Sequence, residues 1–178
     1  MHPFKHFATI VRHRHLVIKV CSKIGIFWQG LRHDLSKYSP TEFWEGAKYF
    51  EGFRSPTELA RRTNGYSKAW LHHKGRNKHH FEYWTDINPK TRMYEPVKMP
   101  IRYLKEMFAD RIAASKTYLK GEYNNGSPLK YFLDHYPRDR MHVKTCDMLE
   151  KWLRMLSEKG EKETFKYIKQ NYKNKQDY

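Results

Sequence analysis

Cysteine is nearly absent. The 178 residues contain two, Cys21 and Cys146, far apart and outside any Cys-x-x-Cys pair, which excludes a disulfide framework and a thiolate-based structural zinc site. Both fall on apolar helical stripes, where a small core side chain is the expected role, and a reducing compartment fits. Long apolar runs are missing too. A membrane span needs roughly 20 apolar residues, whereas Lys5, Arg12, Arg14 and Lys19 interrupt the N-terminal region. Neither a span nor a secretory signal core is expected, and the expected compartment is the cytoplasm. No stretch sustains period-two alternation, which excludes a sheet-based architecture. Acidic residues are the minority: 19 Asp and Glu against 35 Lys and Arg, a formal charge of +16. That balance favours anionic partners, among them phosphorylated small molecules, nucleic acid or an anionic surface, although a solvated basic surface that only maintains solubility has the same composition.

What is present is enough to fold. Hydrophobic residues make up 39% and aromatics 16% of the chain, and the length suits one domain, 1–178, with a real core. Helical periodicity dominates. Phe7, Ile10, Val11, Val17, Val20, Cys21 and Ile24 form one stripe of a helix over about residues 4–26, with Pro3 in the first turn and Gly25 loosening or ending it. Ser39-Pro40-Thr41-Glu42 and Ser55-Pro56-Thr57-Glu58 each match a capping box and open helices over about 40–51 and 56–63. Ser67 caps a helix to about His73, and a second short helix is expected near His79–Trp84. Residues 85–100, with three prolines, are loop or extended chain and the one place for a short strand pair. A long helix follows over 101–119, a short one opens at Ser127-Pro128, and two more cover about 139–158 and 161–172, split by Gly160. Residues 173–178 are expected to fray. The expected class is all-α.

Histidine is the unusual count. There are eleven, and nine precede residue 81. The adjacent pair His33-Asp34 is weak alone, but it has company: His13 and His15 upstream, His72-His73 and His79-His80 downstream, and Asp110 inside a later helix. Imidazole nitrogens and carboxylate oxygens bind Mn, Fe, Ni, Zn or Mg to differing degrees, and a mixed set without thiolate is the pattern of a catalytic site. Asp110 lies close to the buried face set by Leu104 and Met107, where a carboxylate must be paired or metal-bound; the alternative is a surface aspartate bonded to Arg111 or Lys105. His72 reads as a core or supporting histidine, and His2, His6, His135 and His142 as surface or capping residues. His13 and His15 compete for the first ligand position. Asn77, four residues after His73, is placed to orient it.

The order His13, His33-Asp34, His73, His79-His80, Asp110 resembles the HD superfamily of His-Asp phosphohydrolases. His33-Asp34-Leu35-Ser36-Lys37 is similar to its His-Asp-x-Gly-Lys segment, with Ser36 where Gly is usual. His79-His80-Phe81-Glu82 is similar to a segment of the cyclic-dinucleotide phosphodiesterase branch, whose Gly-Tyr-Pro signature is absent here. A closer resemblance, over about residues 10–119, is to a bacterial and phage family of uncharacterised function that carries Gly30–Ser39 and Trp70–His80. The resemblance implies an HD-like helical bundle binding one or two divalent ions. Asp34 would bridge them, His13, His33 and Asp110 would hold one, and His73, His79 and His80 the other. Lys37 would contact a phosphate oxygen, and Glu82 would orient a ligand or pair with Arg76. Apart from the resemblance, Arg76, with Lys74 and Lys78 between the histidine pairs, either draws an anionic substrate or balances charge on a surface loop, and Asn77 is a further substrate-binding candidate.

Three functions follow. The first is a metal-dependent phosphohydrolase acting on a nucleotide or other phosphate ester. The second is a di-iron oxygenase, because some HD-fold proteins use a closely similar ligand set with iron. The third is a basic nucleic-acid-binding protein without catalysis.

Overall fold

The computed structural model describes residues 1–135, 138–172 and 178. The described chain is predominantly helical, with one two-stranded sheet. Helix α1 spans Pro3–Lys23 and buries His6, Ile10, His13, Val17, Val20 and Cys21. Its end is set by Gly25 at φ 84°. The Ile26 amide bonds the Cys21 carbonyl at 2.9 Å and the Gly25 amide bonds Ser22 at 3.4 Å, a Schellman stop that a residue with Cβ disfavours.

The chain then enters α2 (Phe27–Arg32), a six-residue helix that periodicity does not predict. Gly30 lets it lie against α1: a Cβ there would come within 2.6 Å of the Cys21 Cβ. A 3-10 turn, Leu35–Tyr38, leads to α3 (Pro40–Lys48), which is followed by α4 (Pro56–Asn64) and α5 (Lys68–Lys74). The expected caps are only partly realised. Ser39 accepts the Glu42 amide at 3.5 Å and Ser67 the Trp70 amide at 3.0 Å, whereas Ser55 makes no cap bond and its hydroxyl meets Thr57. The short helix expected near His79–Trp84 is a 3-10 turn over Phe81–Tyr83. The extended region does form a hairpin, β1 (Thr85–Ile87) antiparallel to β2 (Tyr94–Pro96), with Asp86 opposite Glu95.

Helix α6 (Ile101–Leu119) is the axis of the molecule, buried on almost every side and packed on α1, α7 and α8. Helix α7 spans Ser127–His135 and α8 spans Val143–Asn171. Helix α8 starts later than expected, after a 3-10 turn at Arg138–Arg140, and His142 caps it by accepting the Lys144 amide at 3.2 Å. Gly160, at φ 74°, interrupts it where the sequence marks a break. The apolar core lies between α6 and α8, where Phe108 meets Trp152 edge-on at 5.8 Å and Phe165 at 6.4 Å. Cys21 and Cys146 are both buried there. The frayed tail expected at 173–178 lies outside the described residues except for Tyr178, whose hydroxyl bonds the Met99 carbonyl. No helix among the described residues is long and apolar enough to cross a membrane.

Candidate metal centre

The polar end of the bundle is assembled by short, constrained connections. Arg14 on α1 donates from Nε to the His33 carbonyl at 3.0 Å and from Nη2 to the Leu31 carbonyl at 2.8 Å, closing the free carbonyls at the end of α2. His33 is thereby held extended, and Asp34 follows at φ 54°, in the left-handed region. Aspartate tolerates that conformation better than most residues, and side chains held there by their surroundings concentrate at functional sites. Asn77 donates from Nδ2 to the His73 carbonyl and to Ser36 Oγ, both at 2.8 Å. It ties α5, the turn after it and the Ser36 turn into one frame, which presents His79 and His80 beside His73.

From these elements and one face of α6, seven side chains converge into two groups that share Asp34. His13, His33, Asp34 and Asp110 form one; Asp34, His73, His79 and His80 form the other. Within each, one ligand atom per residue lies within 4.8 Å of all the others. His13 Nε2 is 2.9 Å and His33 Nε2 3.6 Å from Asp110 Oδ1. Asp34, 1% exposed, turns Oδ2 toward His33 Nε2 at 3.2 Å and Oδ1 toward His73 Nε2 at 3.2 Å and His79 Nε2 at 3.5 Å. Sequence spacing left His13 and His15 as alternatives. His15 is exposed and bonds the Val11 carbonyl at 2.8 Å, while His13 points into the cluster.

Two glutamates that the sequence did not single out hold the imidazoles from behind. Glu42 receives His73 Nδ1 on one oxygen at 2.7 Å and His72 Nδ1 on the other at 2.6 Å. Its side chain therefore serves the two histidines and not the capping box its position suggests. Glu106 Oε1 lies 2.9 Å from His33 Nδ1 and 3.3 Å from His79 Nδ1, and its other oxygen takes Gln29 Nε2. A carboxylate on Nδ1 favours the proton there and raises the basicity of Nε2. Within the cluster, burial lowers His33 and His73 but Asp34 and the glutamates outweigh it and raise both, so a cation binding at Nε2 would displace a proton. Three histidines of the cluster, His33, His73 and His79, thus present Nε2 inward.

The electrostatics follow from the same contacts. Burial pushes the Asp34 carboxyl up, but His33, Lys37 and His73 outweigh it and hold it well below the usual range. Burial likewise opposes ionisation of Asp110, which its bonds with His13 and His33 hold well down. Glu106, also raised by burial, is held at about 2 by His33 and His79. These carboxylates are anionic at neutral pH. Desolvation, reinforced by neighbouring histidines, drives His80 well below its ordinary value and keeps it neutral. The residues fit a bound cation by a stricter criterion as well. His13, His33, His79 and His80 each have a buried Nε2 that makes no aligned hydrogen bond, and Asp34 Oδ1 makes none either, although close carboxylate–imidazole contacts surround them. Buried polar atoms are rarely left so, and here the orphans face one another.

Other expected residues fall around the cluster. Lys37 Nζ lies 2.7 Å from Asp34 Oδ2 with about a third of its side chain open to solvent. Arg76 is exposed and bonds the His72 carbonyl at 3.3 Å, and no contact joins it to Glu82 or the cluster among the described residues. Glu82 is partly buried, lies outside both groups and has one oxygen without a partner. His6, expected at the surface, is buried against Phe43 and Phe50. His2 and His135 are exposed, as expected.

Fold and site together define an α-helical protein whose buried histidine–carboxylate cluster has the composition and convergence to hold metal ions. The chain belongs to the family of unknown function DUF5662, whose family profile matches residues 2–155. No curated protein and no solved structure matches it. The family match includes every residue of the cluster and continues into α8, well beyond the segment 10–119 that carries the recognisable motifs.

Proposed function

We propose that this protein is a metal-dependent phosphohydrolase with a binuclear centre related in plan to that of the HD superfamily, acting on a nucleotide or another phosphate ester. The observation that supports this reading best is the division of Asp34. One carboxylate oxygen faces His33 beside His13 and Asp110, and the other faces His73 and His79, an arrangement that would let Asp34 serve both ligand groups. His13, His33 and Asp110 would hold one ion; His73, His79 and His80 the other.

Bound divalent ions supply Lewis acidity toward phosphate oxygens and water. The remaining work falls to the chain. Lys37 reaches Asp34 from the solvent side and provides a cation for a phosphate oxygen at the mouth of the site. Glu42 and Glu106 hold the imidazoles in the tautomer that coordinates. The nitrogen- and oxygen-only donors suit Mn, Fe, Ni or Zn. In the net reaction water adds its oxygen to phosphorus as the ester P–O bond breaks, and the alcohol leaves with one of the water's protons.

The test is metal analysis of the purified full chain, followed by hydrolysis of p-nitrophenyl phosphate and bis(p-nitrophenyl) phosphate after reloading with Mn, Ni, Fe, Zn or Mg. Supporting results are metal in the isolated protein, ester hydrolysis lost in Asp34→Ala, and hydrolysis reduced in Lys37→Ala with metal retained. Iron-loaded protein that consumes oxygen and hydrolyses no phosphate ester would replace this function with an oxygenase.

A further inference from the structure

A second feature lies outside the cluster and makes no use of it. Lys78, Tyr83, Trp84, Arg102 and Tyr103 form a connected surface of cations and aromatic rings. Lys78 Nζ sits 5.4 Å above the Tyr83 ring and 6.0 Å from that of Tyr103. The Arg102 guanidinium lies 4.5 Å from the Tyr103 ring. Trp84 packs on Tyr103 at 5.6 Å and edge-on to Tyr83 at 5.3 Å. No carboxylate pairs with Lys78 or Arg102 among the described residues. Glu82 is drawn inward, and Asp86 takes the Ile87 amide.

Exposed cations without counter-ions favour polyanions. Rings interleaved with them, Tyr83 exposed and Trp84 and Tyr103 partly open with one side against the core, favour a polyanion that also offers flat apolar faces. Single-stranded nucleic acid has both properties, since its bases stack on aromatics while its phosphates meet Lys and Arg. Duplex nucleic acid satisfies the charge and leaves the rings unused, and an anionic lipid surface, which takes both charge and rings, is separated from single strands by the test below. We infer that this surface, running from Arg102 and Tyr103 through Trp84 to Lys78 and Tyr83, binds single-stranded nucleic acid. The formal charge of +16 supplies long-range attraction.

The test is fluorescence anisotropy of a labelled oligothymidylate of about 20 nucleotides with the full chain, in EDTA, from 50 to 200 mM salt. EDTA separates this inference from the hydrolase proposal, because the surface needs no metal. The expected result is binding that weakens with salt. Tyr83→Ala should lower affinity roughly tenfold through loss of stacking, and Arg102→Ala should reduce the slope of log affinity against log salt by about 0.7. Circular dichroism checks that both variants fold. Three results would each overturn the inference: no binding at 50 mM salt, affinity unchanged in both variants, or equal affinity for a duplex of the same length or for phosphatidylserine vesicles.

Discussion

The two sides of α6 fill an interior in opposite ways. Toward α8, Leu104, Phe108 and Ile112 join Leu149, Trp152, Leu153 and Phe165 in a wholly apolar core. Toward α1, α2 and α5, Glu106 and Asp110 meet His13, His33 and His79. Glu106 and Asp110 are four residues apart, so they project from one stripe, one above the other. The apolar side gains stability by removing surface from water, and any side chain of suitable volume contributes. The polar side buries ionised groups, which is costly unless each has a partner, and its pairing is incomplete: five buried ligand atoms touch neighbouring side chains without an aligned hydrogen bond. The apolar side leaves isolated polar atoms, Trp152 Nε1 and Thr164 Oγ1, buried without a hydrogen bond, whereas on the polar side such atoms face one another in a group that could hold a cation.

The contrast breaks most sharply at Asp34. Asp34→Ala removes the residue common to both ligand groups, so bound metal should fall below detection by inductively coupled plasma mass spectrometry, while far-ultraviolet circular dichroism stays helical. Full metal content in that variant would end the binuclear interpretation. On the other side of α6, Trp152→Ala empties a fully buried site and should destabilise the protein by about 3–5 kcal/mol in chemical denaturation. The surviving folded fraction should keep its metal stoichiometry. Loss of metal in proportion to stability would show that the two sides are not separable.

A finer test uses the glutamates behind the histidines. Glu106→Gln and Glu42→Gln preserve shape and remove the charge that orients the imidazoles. Each should weaken metal affinity by about 10–100-fold with thermal stability of the EDTA-treated protein little changed. Competition with a chromophoric chelator measures this directly. Unchanged affinity in both variants would reduce the two residues to buried acids with no part in ligation.

The unequal legibility of the molecule has the same origin as this contrast. Helices α1, α3, α4, α5 and α6 were readable because proline, capping residues and three-to-four spacing act locally. Helix α2 was not: six residues hold too little periodicity, and its position depends on Gly30 meeting Cys21, a contact between helices. The histidine and aspartate positions of the cluster could be read from residue type and from a family resemblance. Their relative placement is a property of the folded chain. Glu42 and Glu106 carried no signal, since a glutamate at the third position of a helix reads as a cap and one in a long helix as a solvated face. Arg14 was invisible for the same reason, as its partners are carbonyls of another segment. Arg76 and Glu82 show that nearness in sequence to His79 and His80 does not by itself bring a side chain into the ligand groups.

The smallest effect concerns a histidine that belongs to neither side. His6 is buried where a Cβ on Gly46 would come within 2.3 Å of its Nε2, and burial, aided by the Lys37 charge, lowers its pKa to about 4. The folded protein therefore keeps His6 neutral at pH values where the unfolded chain, near 6.5, is already protonated. The unfolded state binds the extra proton, so this contribution to stability is present above pH 6.5 and is lost as pH falls toward 4. Allowing for the part of the ring that solvent reaches, the loss is on the order of 1–2 kcal/mol. His6→Leu keeps a similar volume and cannot titrate. In EDTA, its stability from urea unfolding should fall less than wild type between pH 7 and pH 4 by that amount. Parallel pH profiles for the two proteins would assign acid sensitivity to the metal-ligand histidines and leave His6 a packing residue.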